Sequence, residues 1–177
     1  MQKVILWIFF MGISCSIQAQ RVRLHWTPLD SVPALYHRAP RPILVLIEAS
    51  WCGWCKALRK RTLAEKKTAA YINQHYYLTA LDGESNEPIR WQDKTYPPRF
   101  FEQQHALAHL WQRGQPGYPT LVWLTAPDAE PAPLPGFVTP SELEPFLTYF
   151  VESGPQQESF ESYLARRYPT GGNKKPR

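Results

Sequence analysis

Trp51-Cys52-Gly53-Trp54-Cys55-Lys56 holds the only cysteines of the chain beyond residue 15. An apolar run, residues 43–47, leads into it, and a basic, helix-compatible run, residues 56–61, leads out. A strand that delivers C-x-x-C onto a helix N-terminus is suited to thiol redox chemistry. The first helical turn carries unpaired N–H groups and the positive end of the helix dipole, so it favours an anion. Cys52 should therefore ionise more readily than a free thiol of pKa about 8.5. Cys55 lies one turn on, within disulfide reach. Two other uses of such a pair are weaker. Structural zinc needs four ligands, and the chain has no second C-x-x-C. His105 and His109 share an i, i+4 spacing, but they sit in an apolar run where packing roles prevail. A purely structural disulfide would close too short a loop to constrain much of the chain.

The elements that must position this pair read as α/β. Residues 21–26 alternate weakly, as an edge strand would. Thr27 and Pro28 look like the N-cap and first residue of a helix that carries Val32, Leu35 and Tyr36 and stops before Pro40 and Pro42. Residues 43–47 are apolar throughout, as in a central strand covered on both faces and flanked by a parallel neighbour. Glu48 continues that strand on the face of Leu44 and Leu46, an unusual place for a carboxylate. Arg59 and its basic neighbours read as a solvated face. Residues 65–74 suggest a helix and residues 76–81 a strand. Residues 84–98 are polar and contain proline, and read as an inserted loop pinned by Trp91, Tyr96 and Phe100. Residues 101–111 suggest a helix packing through Leu107, Leu110 and Trp111. A strand led by Pro119, residues 119–124, follows, then a short strand at 134–138. Thr139-Pro140-Ser141-Glu142 combines a capping box with proline at the first helical position. Leu143, Phe146, Leu147, Phe150 and Val151 then form an apolar stripe. Phe160, Tyr163 and Leu164 suggest one further helix.

Composition and charge narrow the class. The chain has 177 residues, of which 44% are hydrophobic and 20% charged, enough for an ordinary core. Its formal net charge of +5 is mild. Basic and aromatic residues do not interleave as a nucleic-acid surface would require, so no nucleic-acid partner is expected. Lys3 followed by the apolar run 4–13 reads as a signal peptide covering residues 1–19, with cleavage after Ala19 or, as a second option, after Ser16. The run is shorter than the roughly 20 residues a membrane span needs. Gly12-Ile13-Ser14-Cys15 also resembles a lipoprotein box, which makes lipid anchoring through Cys15 an alternative to cleavage. The expected organisation is a leader at 1–19, one domain at 20–153 with an insert at about 83–100, and an extension at 154–177 with a disordered tail over 170–177.

The order of these elements, the WCGWCK motif and the later Gly117-Tyr118-Pro119-Thr120 together resemble the thioredoxin superfamily. The likeness is greatest to exported bacterial thioredoxin-like proteins, including the C-terminal domain of the membrane disulfide reductase. It covers roughly residues 28–152. It implies a thioredoxin-like fold: a central mixed sheet flanked by helices, with the loop insert and C-terminal helical extension added. It also implies that Cys52 is the attacking nucleophile and Cys55 the resolving thiol. Pro119 matches the family's cis-proline, and Tyr118 the residue whose backbone pairs with a substrate strand. Trp51, Gly53 and Trp54 would form the rim.

This chain departs from the pattern at two places. Where the family has a buried aspartate before the first cysteine, it has Leu46, so Glu48 becomes the candidate proton acceptor. Gly53-Trp54 replaces Gly-Pro between the cysteines, a dipeptide that tunes reduction potential. The implied function is an exported, periplasmic thiol–disulfide oxidoreductase, reducing in direction. It would be monomeric, with no metal and no cofactor beyond its own disulfide. Its partners would be proteins carrying disulfides or thiols and a membrane electron donor. The alternative is a thioredoxin-fold module that binds peptides or proteins, with redox activity incidental.

Overall fold

The computed structural model describes residues 22–98 and 103–169. The leader at 1–19, Cys15, Phe100 and the tail at 170–177 lie outside the described residues. β1 (Ile43–Glu48) is the centre of the molecule. Its residues 43–47 are all buried, each worth about 1.5–3 kcal/mol on transfer from water. β1 runs parallel to β2 (Tyr77–Asp82) and antiparallel to β5 (Thr120–Leu124), with β6 (Ala132–Pro135) beyond, giving the order β2-β1-β5-β6. The sheet is thus mixed, as expected.

Strand alternation splits the core in two. Ile43, Val45 and Ile47 pack on one face with Leu107, Trp111 and Val122. Leu44 and Leu46 pack on the other with Leu58, Ile72, Trp123, Leu143 and Leu147. α1 (Val32–Arg38) and α4 (Ala106–Trp111) supply residues to the first face. α3 (Lys66–His75) and α5 (Pro140–Glu152) supply residues to the second, as do Leu58 and Leu63, which follow directly on α2 (Gly53–Ala57). α5 opens with the expected capping box, the Glu142 carboxylate accepting the Thr139 N–H at 2.7 Å. Its Phe146 and Phe150 stack on Trp123 at centroid distances of 5.7 and 5.2 Å. α6 (Phe160–Arg167) closes the described chain, with Tyr163 fully buried and its hydroxyl donating to Glu152 at 2.9 Å.

Several local expectations are corrected. Pro28 starts a short 3-10 turn, Leu29–Ser31, and the α-helix begins only at Val32. Pro33, which has no N–H to give, fits only a first turn, so a helix from Pro28 would have been broken there. The basic run after the motif is not one regular α-helix: α2 passes into a wider π-turn, Leu58–Leu63, a form that recurs at functional sites. The loop insert carries structure of its own. It folds as a hairpin of β3 (Ile89–Trp91) and β4 (Lys94–Tyr96), whose strands are only three residues each and whose alternation is masked by charge. Trp91 does pin it: the ring is buried edge-on against Trp111 at 5.0 Å, and its N–H donates to the Pro127 carbonyl at 2.9 Å. The helix expected over 101–111 begins at Ala106. His105 caps it with extended backbone, drawn there by its N–H bond to the Gly83 carbonyl at 2.8 Å. Leu110 is exposed rather than packed. The last strand lies at 132–135 rather than 134–138. Its two prolines are tolerated because β6 is an edge strand.

Candidate active site

At the end of β1 the chain passes through Ala49, Ser50 and Trp51 into α2. Cys52 is held by its N–H bond to the Ala49 carbonyl at 3.0 Å and stands with extended backbone as the N-cap of α2. Its Sγ accepts the Cys55 N–H at 3.0 Å. A group that can accept a helix N–H is better satisfied as an anion, so this geometry favours the Cys52 thiolate once the pair is reduced. Cys52 and Cys55 form a disulfide, their Cα atoms 5.3 Å apart. Both are nearly inaccessible, at 3% and 1% exposure.

Tyr118 explains much of that burial. The Tyr118–Pro119 peptide is cis, and Tyr118 packs against Ala49, Cys52 and Cys55. Trp51 lies edge-on to the Tyr118 ring at 6.0 Å, and its indole N–H donates to Glu84 at 2.9 Å. Trp54 leans on Phe137 at 5.5 Å. Both tryptophans are largely exposed, at 67% and 63%, and so form an aromatic rim beside a buried disulfide. The Tyr118 hydroxyl stays neutral: burial, then the charges of Glu84 and Asp82, push its pKa up to about 12. Gly53 opens α2 with free space where a Cβ would stand, so it leaves the approach to the pair clear.

Gly83 faces the opposite condition. A Cβ there would lie 2.4 Å from the Tyr118 ring, so the ring occupies the space that glycine leaves open. Gly83→Ala is therefore expected to push Tyr118 off Cys52. Reduction of the disulfide by dithiothreitol should then accelerate by roughly threefold, because exchange rate depends on access to the attacked sulfur. An unchanged rate constant would show that Tyr118 does not control that access.

Glu48 sits on the Leu44 and Leu46 side of the sheet, as alternation requires. It is not free. Arg59 holds it in a two-pronged ion pair, with Nε at 2.7 Å from one carboxylate oxygen and the second nitrogen on the other oxygen. The guanidinium also stacks on Trp26, 3.9 Å from the ring centroid. Arg59 is thus a half-buried partner of Glu48 and not simply part of the solvated face its sequence context suggested. Glu48 nonetheless lines a cavity of about 330 Å³ together with Cys55, Lys56, Arg59 and Asp82. That space can hold water between carboxylate and thiol.

The fold therefore brings Cys52, Cys55, Trp51, Gly53, Trp54, Tyr118 and Pro119 to one end of the sheet, with Glu48 beneath. It does not bring His105 or His109 to the cysteines. His105 Nδ1 accepts the Leu107 N–H at 3.1 Å, and His109 meets Gln104 at 3.1 Å. No cluster of metal-binding side chains exists among the described residues. Sequence reasoning missed Arg59, Asp82, Gly83, Glu84 and Phe137. Only Arg59 had a signal, since a carboxylate ending an apolar strand calls for a cation nearby.

The fold and this site define a class: a thiol–disulfide oxidoreductase built on a redox-active cysteine pair. A family model described as a thioredoxin-like domain matches residues 29–151, and the chain belongs to that family. Among solved structures it is similar to a thioredoxin from Thermus thermophilus, at 16% identity and TM-score 0.52, over 71% of this chain and 85% of that one. It is similar to the DsbH oxidoreductase at 15% identity and TM-score 0.51, over 76% and 93%. The oxidised C-terminal domain of DsbD from Neisseria meningitidis follows at 18% identity and TM-score 0.45, over 72% and 90%. No curated protein matches the sequence.

Proposed function

We propose that this chain is an exported oxidoreductase that reduces disulfides of protein substrates, with Cys52 as nucleophile and Cys55 as resolving thiol. One observation carries the assignment: the Sγ of Cys52 caps a helix by accepting the N–H of Cys55, with the partner sulfur one turn behind it. In the reduced protein, the Cys52 thiolate attacks a substrate disulfide. A mixed disulfide forms and one substrate thiolate leaves. Cys55, deprotonated, then attacks the Cys52 sulfur. The Cys52–Cys55 bond closes, the second substrate thiol is released, and two electrons have passed to the substrate. A dithiol donor, expected at the membrane, reopens the disulfide. Insulin reduction in the presence of dithiothreitol tests the assignment directly, and turbidity no faster than with dithiothreitol alone would reject it.

The backbone of Tyr118, beside Cys52 and ahead of the cis peptide bond, is the edge with which an extended substrate segment would pair. The rim residues Trp51 and Trp54 supply apolar surface beside it. Export is supported by the signal-like residues 1–19. No helix among the described residues is long and apolar enough to cross a membrane.

We assign Glu48 as acceptor of the Cys55 proton, through water in the cavity they share. In Glu48→Gln, release of substrate from the mixed disulfide should slow by about tenfold at pH 7. The deficit should shrink above a pH of about 8.5, where a thiol ionises unaided. Stopped-flow resolution with equal rates across that range would remove Glu48 from the mechanism.

A further inference from the structure

We infer that Gln112 is a positioning residue for substrate binding: its buried side-chain amide sets the loop that carries Tyr118 and Pro119 against Cys52. The inference rests on the proposed oxidoreductase function and extends it to a residue outside the motifs. Gln112 ends α4 and is 1% exposed. Its Nε2 donates to the Gly117 carbonyl at 2.6 Å and to the Thr120 hydroxyl at 2.9 Å. These two residues flank Tyr118 and Pro119 on either side. The Thr120 hydroxyl in turn donates to the Gly117 carbonyl at 2.8 Å, which closes a ring of bonds across the base of the loop. The Gln112 side-chain oxygen is used as well, accepting from Gln104 Nε2.

Both amide protons and the amide oxygen of Gln112 are therefore committed, all of them out of water. A fully satisfied buried network of this kind fixes one geometry, because any shift leaves a polar group unpaired. The network has a firm base. α4 is anchored by Trp111 against Trp91 and by the His105 N–H on the Gly83 carbonyl. Gly83 in turn donates its N–H to the Glu48 carbonyl at the end of β1, and its backbone lies against the Tyr118 ring. The Tyr118 loop is thus held at its base by Gln112 at the end of α4 and at its ring by Gly83.

A residue of this kind acts on the fit of an extended substrate and not on the reactivity of sulfur. In Gln112→Met, which keeps the volume and loses the donors, KM for insulin should rise roughly tenfold while kcat changes by less than about twofold. Iodoacetamide should alkylate reduced Cys52 at least as fast as in the wild type. Thr120→Val should reproduce the KM effect through the same ring of bonds, and Thr120→Ser, which keeps the hydroxyl, should restore it. The threonine pair decides the matter if Gln112→Met fails to fold. A KM within about twofold of wild type in folded variants overturns the inference. So does a fall in kcat at unchanged KM, the mark of a smaller folded fraction, or a matching loss of Cys52 alkylation. Wild-type protein with no insulin reduction would instead reject the proposed function, and the role of Gln112 with it.

Discussion

Cys52→Ser should abolish insulin reduction, by at least roughly a thousandfold, whereas Cys55→Ser should stall it one step later. The two sulfurs are almost equally buried, so exposure does not rank them. Their positions on the helix do. The Cys52 sulfur stands outside the first turn and accepts the N–H of Cys55, so its negative charge is shared with the backbone. Cys55 lies inside the turn, where no equivalent donor reaches it among the described residues. The serine in Cys55→Ser cannot displace the substrate, so a covalent adduct should persist on a non-reducing gel and vanish with dithiothreitol. Cys52→Ser should form none. An adduct on Cys55 in the Cys52→Ser protein, with none in Cys55→Ser, would reverse the assigned order. The adducts also name the substrates, since the trapped proteins can be read by mass spectrometry.

The second large effect is on stability. Trp123→Ala should cost about 3–5 kcal/mol, the range for removing a large aromatic from a packed core. At this chain length that corresponds to a fall in Tm of roughly 6–20 °C. Trp123 is 1% exposed, faces Phe146 and Phe150 in stacked geometry, and joins β5 to α5. Phe146 continues the stack to Phe160 of α6 at 4.5 Å. The indole thus couples the sheet to both C-terminal helices. Trp123→Phe keeps an aromatic face for the stack, so it should cost well under half as much. Thermal unfolding followed by circular dichroism measures both, and similar losses for the two variants would show that the stack is not what carries the stability.

The chemistry of this protein was legible where it depends on near neighbours in the chain. The spacing of Cys52 and Cys55, the apolar run of β1 and the capping box at Thr139 all act within a turn or a strand, and side-chain periodicity exposes them. The pattern also placed Glu48 on the correct face of β1. Tertiary structure decided what that carboxylate does there, because Arg59 reaches it only after the π-turn sets the helix beside the strand. It likewise decided that a polar insert becomes a hairpin, since Trp91 finds Trp111 only when α4 packs on the sheet. Gly83 is a plain turn residue in the sequence and becomes the seat of the Tyr118 ring once β5 returns beside β1. Gln112 shows no periodic signal at all, because its partners define its role and they meet only across a loop. Local sequence could specify which sulfur caps the helix; the shape of the surface beside it depended on contacts between segments that only the closed sheet brings together.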